Sequence, residues 1–97
     1  MVVTNSVTAS NTTGVSTITT GSSGGASVNF VSSVAYGNTN GLSATNTGAV
    51  IVTGGSTIWN NDNGLVSTGG SLLLSYGNNQ MGNANPGSFS QPGGGLQ

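Results

Sequence analysis

Asp62 is the only charged side chain in 97 residues that contain no Lys, Arg, His or Cys. Most general acid–base and nucleophilic catalysis needs a titratable group tuned near working pH. Glycoside hydrolysis generally needs a pair of carboxylates. This chain can assemble neither, so it reads as a non-enzyme without cofactor or metal. Asn60-Asn61-Asp62-Asn63-Gly64 has the oxygen-rich look of a calcium loop, but a calcium site takes about 6–8 oxygens and usually several carboxylates. It reads instead as a solvated turn in which Asn63-Gly64, like Asn40-Gly41, takes left-handed dihedrals. Gly24-Gly25, Gly69-Gly70 and Gly93-Gly94-Gly95 lack the Lys and the spacing of a phosphate loop. Asn11-Thr12-Thr13 matches a glycosylation acceptor triplet, although a structural use of Asn11 is favoured. What remains is non-covalent chemistry, and its most conspicuous carriers are Tyr36 and Trp59.

Composition narrows the partners. A domain of this length would ordinarily carry roughly 24 charged residues; with a net charge of −1, nothing basic is available to neutralise phosphates. Nucleic acid and anionic membranes are therefore excluded as partners. The longest apolar runs, Ala49-Val50-Ile51-Val52 and Leu72-Leu73-Leu74, fall far short of the ~20 residues that span a bilayer. No cationic start precedes a hydrophobic stretch, so no secretion signal is visible.

The elements that must position these residues emerge from an internal repeat. Val34-Ala35-Tyr36-Gly37-Asn38-Thr39-Asn40-Gly41-Leu42 aligns with Thr57-Ile58-Trp59-Asn60-Asn61-Asp62-Asn63-Gly64-Leu65 at an offset of 23. Val7 to Val15 form an earlier copy and Gln80 to Ser88 a decayed later one, which places Gly14, Gly41, Gly64 and Gly87 in one column. The longer first interval accommodates a loop at Thr20 to Gly25. Alternating apolar positions mark strands with one buried face. Ala26, Val28 and Phe30 correspond to Ala49, Ile51 and Thr53, and then to Leu72, Leu74 and Tyr76. Ala35, Ile58 and Met81 form a second apolar column; Val15, Leu42 and Leu65 form a third. No segment shows a 3.6-residue apolar period, and Gly and Thr oppose helix. Three short strands per ~23 residues describe one coil of a β-solenoid. The expected fold is all-β, a parallel β-helix of about four rungs (1–25, 26–48, 49–71 and 72–90) followed by a glycine-rich tail, 91–97.

The repeats "VAYGNTNGL … AVIV … STIWNNDNGL … SLLLSYGNNQMGN" resemble the right-handed parallel β-helix repeats of bacterial surface and secreted proteins, the pectate-lyase-like solenoids. The stretch Leu74 to Gln80 resembles their last rung. The resemblance implies a three-sided coil with an asparagine ladder at one turn, occupied by Asn11, Asn38 and Asn61 and interrupted by Ala84. Lyases of that kind use acidic calcium ligands and a basic residue, which this chain lacks. Neutral Ser, Thr and Asn suit stacked rungs, because a column of like charges would repel itself, whereas amides can bond one another up a column.

Tyr36 and Trp59 share one repeat position and should point outward, as a cross-rung packing pair in preference to a sugar platform. Threonines do not recur at one outward position in every rung, which disfavours ice binding. Asn79 is expected in an outward loop. Both ends of the solenoid look open, with no element to cover them. Subunits are therefore expected to stack first rung on last, with Val2, Val3 and Val7 continuing onto Leu72, Leu74 and Met81 of the next copy. The expected function is a self-assembling structural subunit of an extracellular fibre or surface matrix, its partner being itself. The alternative is the C-terminal part of a larger β-helix adhesin at the cell surface, with polysaccharide as ligand.

Overall fold

Among the described residues twelve short strands, none longer than six residues, make up the regular structure, and no helix occurs. The structure is a computed structural model that describes residues 1–20 and 25–92. The strands are β1 (Val2–Thr4), β2 (Val7–Ala9), β3 (Thr13–Ile18), β4 (Ala26–Val31), β5 (Val34–Tyr36), β6 (Asn40–Thr45), β7 (Ala49–Gly54), β8 (Thr57–Trp59), β9 (Asn63–Thr68), β10 (Leu72–Gly77), β11 (Gln80–Gly82) and β12 (Gln91–Pro92). All strand pairings are parallel, and from β1 to β11 each strand neighbours the one three positions on; β12 alone breaks the rule by pairing with β10. The sheets run β1-β4-β7-β10-β12, β2-β5-β8-β11 and β3-β6-β9. This is a parallel β-solenoid of about three turns with two strands of a further coil. The first coil pairs with the second at an offset of 27, and the second with the third at 23, as do β8 and β11. The additional residues lie between β3 and β4, within a connection whose residues 21–24 are outside the described set.

Inward side chains stack in columns to make one core: Val28, Phe30, Ala35, Leu42, Ala44, Ala49, Ile51, Ile58, Leu65 and Leu73 are buried. Val28 pairs with Ile51 and Phe30 with Thr53, in the register the repeat specifies. The Phe30 ring stands between Val3 in the first coil and Thr53 in the third, with the smaller Ser75 beyond Thr53. Large-beside-small stacking lets one bulky side chain fill a narrow coil without strain. Among the described residues every buried polar side-chain atom has a hydrogen-bond partner, as a polar-rich interior requires.

Each coil turns at two corners occupied by left-handed residues. One corner column is Asn5, Ser32, Gly55 and Asn78; the other is Ser10, Gly37 and Asn60. Asn and Gly tolerate this conformation, which explains their abundance. Gly41 and Gly64 are not left-handed, contrary to the expectation from Asn-Gly turns; they lie in β6 and β9. Close approach excludes a side chain there instead: a Cβ on Gly41 would stand 2.7 Å from Gly64 O and 3.0 Å from Asn61 Nδ2. Gly14 meets Gly41 O and Asn38 Nδ2 in the same way.

The last coil departs from the repeat. Leu72 pairs with Val50, Leu73 with Ile51 and Ser75 with Thr53, an offset of 22 that is corrected to 23 at Gly77, opposite Gly54. Leu73 and Ser75 are therefore the inward pair, whereas Leu72 and Tyr76 are exposed and Leu74 half-buried. The expected inward triplet Leu72, Leu74 and Tyr76 is one residue out of phase. The slip arises at the turn before β10: Gly69 and Gly70 both have positive φ, and the register sets Ser71 level with Ala49, so two residues separate Thr68 from that level where the preceding coil has three, Asn46-Thr47-Gly48. Tyr76 takes up the missing residue as a bulge, its Cβ lying close above Gly54. A second slip follows Gly82. Asn63 bridges to Asn85, and Leu65 N donates to Pro86 O, so Pro86, not Gly87, stands over Gly64.

Candidate functional site: an aromatic column and two unlike ends

Strands β2, β5, β8 and β11 are three residues each, so their sheet presents two outward columns. One holds Val7, Val34, Thr57 and Gln80; the other holds Ala9, Tyr36, Trp59 and Gly82. The central residue of each strand, Thr8, Ala35, Ile58 and Met81, points into the coil. Tyr36 and Trp59 are directly opposed across the β5–β8 pairing, and they are 46% and 47% exposed. Gly82 completes the column. A Cβ on Gly82 would be overrun by three adjacent carbons of the Trp59 six-membered ring, Cε3, Cζ3 and Cη2, at nearly equal separations. The indole thus lies with one face over Gly82 and the other toward solvent.

The asparagine column lies inside the corner that follows this sheet. Asn38 N and Nδ2 both donate to Asn61 Oδ1, at 2.9 and 3.0 Å, and Asn38 Nδ2 also donates to Thr8 O at 3.1 Å. Asn61 repeats the pattern one coil on, donating to Asn83 Oδ1 at 3.0 and 2.8 Å and to Ala35 O at 3.1 Å. Both are buried. The ladder therefore continues through Asn83, whose Nδ2 donates to Ile58 O, and Ala84 does not interrupt it. The one-residue slip after Gly82 hid this from a fixed 23-residue alignment. Asn11 occupies the other end: its N donates to Asn38 Oδ1, but its exposed amide turns to Thr8 Oγ1. Within the 60–63 run the Asn61 oxygen is thus turned into the ladder, where it accepts from Asn38.

A second polar ladder escaped the sequence reading. Ser6 N donates to Ser33 Oγ, Ser33 N to Ser56 Oγ and Ser56 N to Asn79 Oδ1. Asn79 also accepts from Thr53 Oγ1 and donates to Thr53 O and Ser75 Oγ. It is not an outward loop residue. Its spacing of 23 from Ser56 was the available signal, masked because Asn replaces Ser.

The two ends differ. At the first coil β1, β2 and β3 are the outermost strands of their sheets. Val3 and Val15 face the core and are only half-buried, whereas Val2 and Val7 point outward, 66% and 70% exposed. Alternation in a three-residue strand turns one residue inward, so Val2 and Val7 do not belong to the inner column proposed for an axial junction. At the other end Met81 is inward and half-buried, as Leu73 is buried, but the expectation of an uncovered coil fails. Residues 83–92 fold across it. Gly64 N and Leu65 N donate to Asn85 O and Pro86 O, Ser90 N donates to Leu73 O, and Leu73 N donates to Ser90 Oγ. Strand β12 pairs with β10 through Leu74 and Gln91. Phe89 packs on the core, and Leu65, Met81, Pro86, Gly87, Ser88 and Phe89 line a cavity of about 260 Å³. Residues 93–97, the rest of the expected tail, lie outside the described set.

Comparison with known protein families, curated proteins and solved structures finds no match to this chain.

Proposed function

We propose that the chain is a non-catalytic structural subunit of an extracellular fibre or surface matrix, which associates along the solenoid axis through its first coil. The observation that carries this reading is the edge formed by β1, β2 and β3. Three sheets end there together, with half-buried Val3 and Val15 and, among the described residues, without a Pro, a charged side chain or a covering segment to blunt them. Such an edge is a template for another chain. Head-to-tail addition joins it to the last coil of a neighbour, setting Val3 over Ser75 and Thr8 over Met81, and continues as an open filament. The incoming strands replace the hydrogen bonds that residues 83–92 now make to β9 and β10, so the covering segment must swing aside. Neutral Ser, Thr and Asn columns suit the stacking, and their lack of charge makes assembly insensitive to salt.

A second reading, the terminal stretch of a longer β-helix surface protein of the bacterial kind, is favoured by the same covering segment. One end closed and one open is the arrangement of a last rung with its capping turn. Light scattering and negative-stain microscopy of the chain at neutral pH distinguish the two. Concentration-dependent axial growth, abolished by Val3→Lys, supports the subunit. A monodisperse monomer at high concentration, without fibres, rejects it in favour of the second reading.

A further inference from the structure

We propose that the outer face of β5, β8 and β11 binds a neutral polysaccharide, with one sugar ring stacked on the solvent face of Trp59. The inference stands apart from the assembly reading, because this face looks sideways and not along the axis. Trp59 and Tyr36 follow each other in successive coils and each leaves almost half its surface to solvent, more than a packing pair buried for stability would leave. The seat beneath the indole is specific. Gly82 is the only residue type that leaves room for the ring where it lies, since any Cβ would collide with it. The indole is thereby laid down on the sheet with a broad face outward, instead of standing on edge.

The chemistry of the surroundings selects the ligand. The face of an aromatic ring is electron-rich and attracts the weakly positive C–H groups on the flat side of a pyranose. Thr57 and Gln80 stand in the adjacent column and exposed Asn60 follows Trp59 directly, so hydroxyl and amide groups flank the ring to meet sugar hydroxyls. The sequence holds no cationic side chain, and the Met1 ammonium sits on another sheet, donating to Ser27 O; that disfavours anionic glycans and nucleic acid, whose bases also stack on aromatic rings but whose phosphates need a positive groove. Proline-rich peptides lie in grooves between aromatic side chains, and a flat three-residue sheet offers a ridge instead. The aromatic column runs along the solenoid axis, so a polysaccharide chain lying along it meets Trp59 and Tyr36 in turn.

Trp59 is the sole tryptophan, so its fluorescence reports the site directly. Soluble cello- and chito-oligosaccharides titrated into the whole chain should shift and quench its emission, saturably and without dependence on salt. Depletion onto cellulose or chitin particles should fall at least ten-fold in Trp59→Ala and in Gly82→Val, which keeps the indole but removes its seat. Tyr76→Ala, which removes an exposed aromatic on another sheet, should retain wild-type depletion. Circular dichroism establishes that each variant is folded, and the wild-type fluorescence titration stands even if a variant is not. Unchanged emission with every neutral glycan, equal depletion of wild type and Trp59→Ala, or an emission response to a proline-rich peptide alone would overturn the proposal. Axial assembly should be unaffected in Trp59→Ala, which separates this site from the filament reading.

Discussion

Asn61 sits where a single atom decides whether the interior is satisfied. Its Oδ1 accepts two hydrogen bonds from Asn38, and its Nδ2 donates to Ala35 O and Asn83 Oδ1. Asn61→Asp replaces that donor by an oxygen facing two acceptor oxygens; Ala35 O loses this bond and Asn83 Oδ1 keeps only Asn61 N, at about 1–3 kcal/mol for each buried group left short. The expected loss is at least ~2 kcal/mol, or a fall in Tm on the order of 10 °C for a domain of this size. Asn11→Asp, at the solvent end of the same ladder, should change Tm by no more than a few degrees. Comparable shifts in thermal scans would contradict the ladder as described. Asn79→Ala should cost about 2 kcal/mol by leaving Ser56 N without its acceptor and removing a donor to Thr53 O, where the sequence alone pointed to little effect. The difference is instructive. Asn38 and Asn61 were legible because identical residues recurred at 23, whereas Asn79 carries on a column of serines, and a change of residue type within one hydrogen-bonding role leaves no pattern to find.

At the scale of the strand, register in the middle coils was readable because every connection there has the same length. In β10 it was not. A two-residue glycine turn removed one position, and in a strand one position exchanges the faces. Leu72, Leu73 and Leu74 are indistinguishable as types, so only the turn could tell which one is buried. Truncating them measures the register. Leu73→Ala should cost about 2–5 kcal/mol as a core cavity, and Leu72→Ala less than ~1 kcal/mol, as read from urea unfolding. The reverse order would restore the simple repeat. Gly70→Ala should destabilise by about 1–2 kcal/mol, since φ at this position is +87° and a Cβ would press on Thr47 Oγ1. The exposed aromatic column was legible as a repeat position, but its glycine seat was not, because Gly82 announces nothing until the indole above it is placed.

For the molecule as a whole, the asymmetry of the ends is the property that sequence reasoning missed most completely. The segment 83–92 keeps only a slipped trace of the repeat, at Asn83 and Asn85, and little apolar surface besides Phe89, yet among the described residues it pairs with two of the three sheets at its end and leaves the edge of β11 unpaired. Phe89→Asp should detach it. The variant is expected to form longer axial assemblies than wild type under the microscope and to scatter more light at equal concentration; shorter assemblies, or none, would show that the segment supports stacking instead of limiting it. The uncovered first coil carries a further consequence, in time instead of space. Each coil is held only by its neighbours, so the solenoid opens most easily by peeling, and the first coil, with one neighbour and a half-buried core, peels first. Amide exchange should be fastest in β1–β3 and slowest in β7–β9. A uniform exchange profile would mean that the chain opens all at once. Peeling does not retire the exposed edge, because loss of β1–β3 bares β4–β6, whose strands carry the same unpaired groups and the same lack of charge. The molecule can wear down from that end and present, at every stage, an edge as unpaired and as uncharged in its side chains as the one it lost.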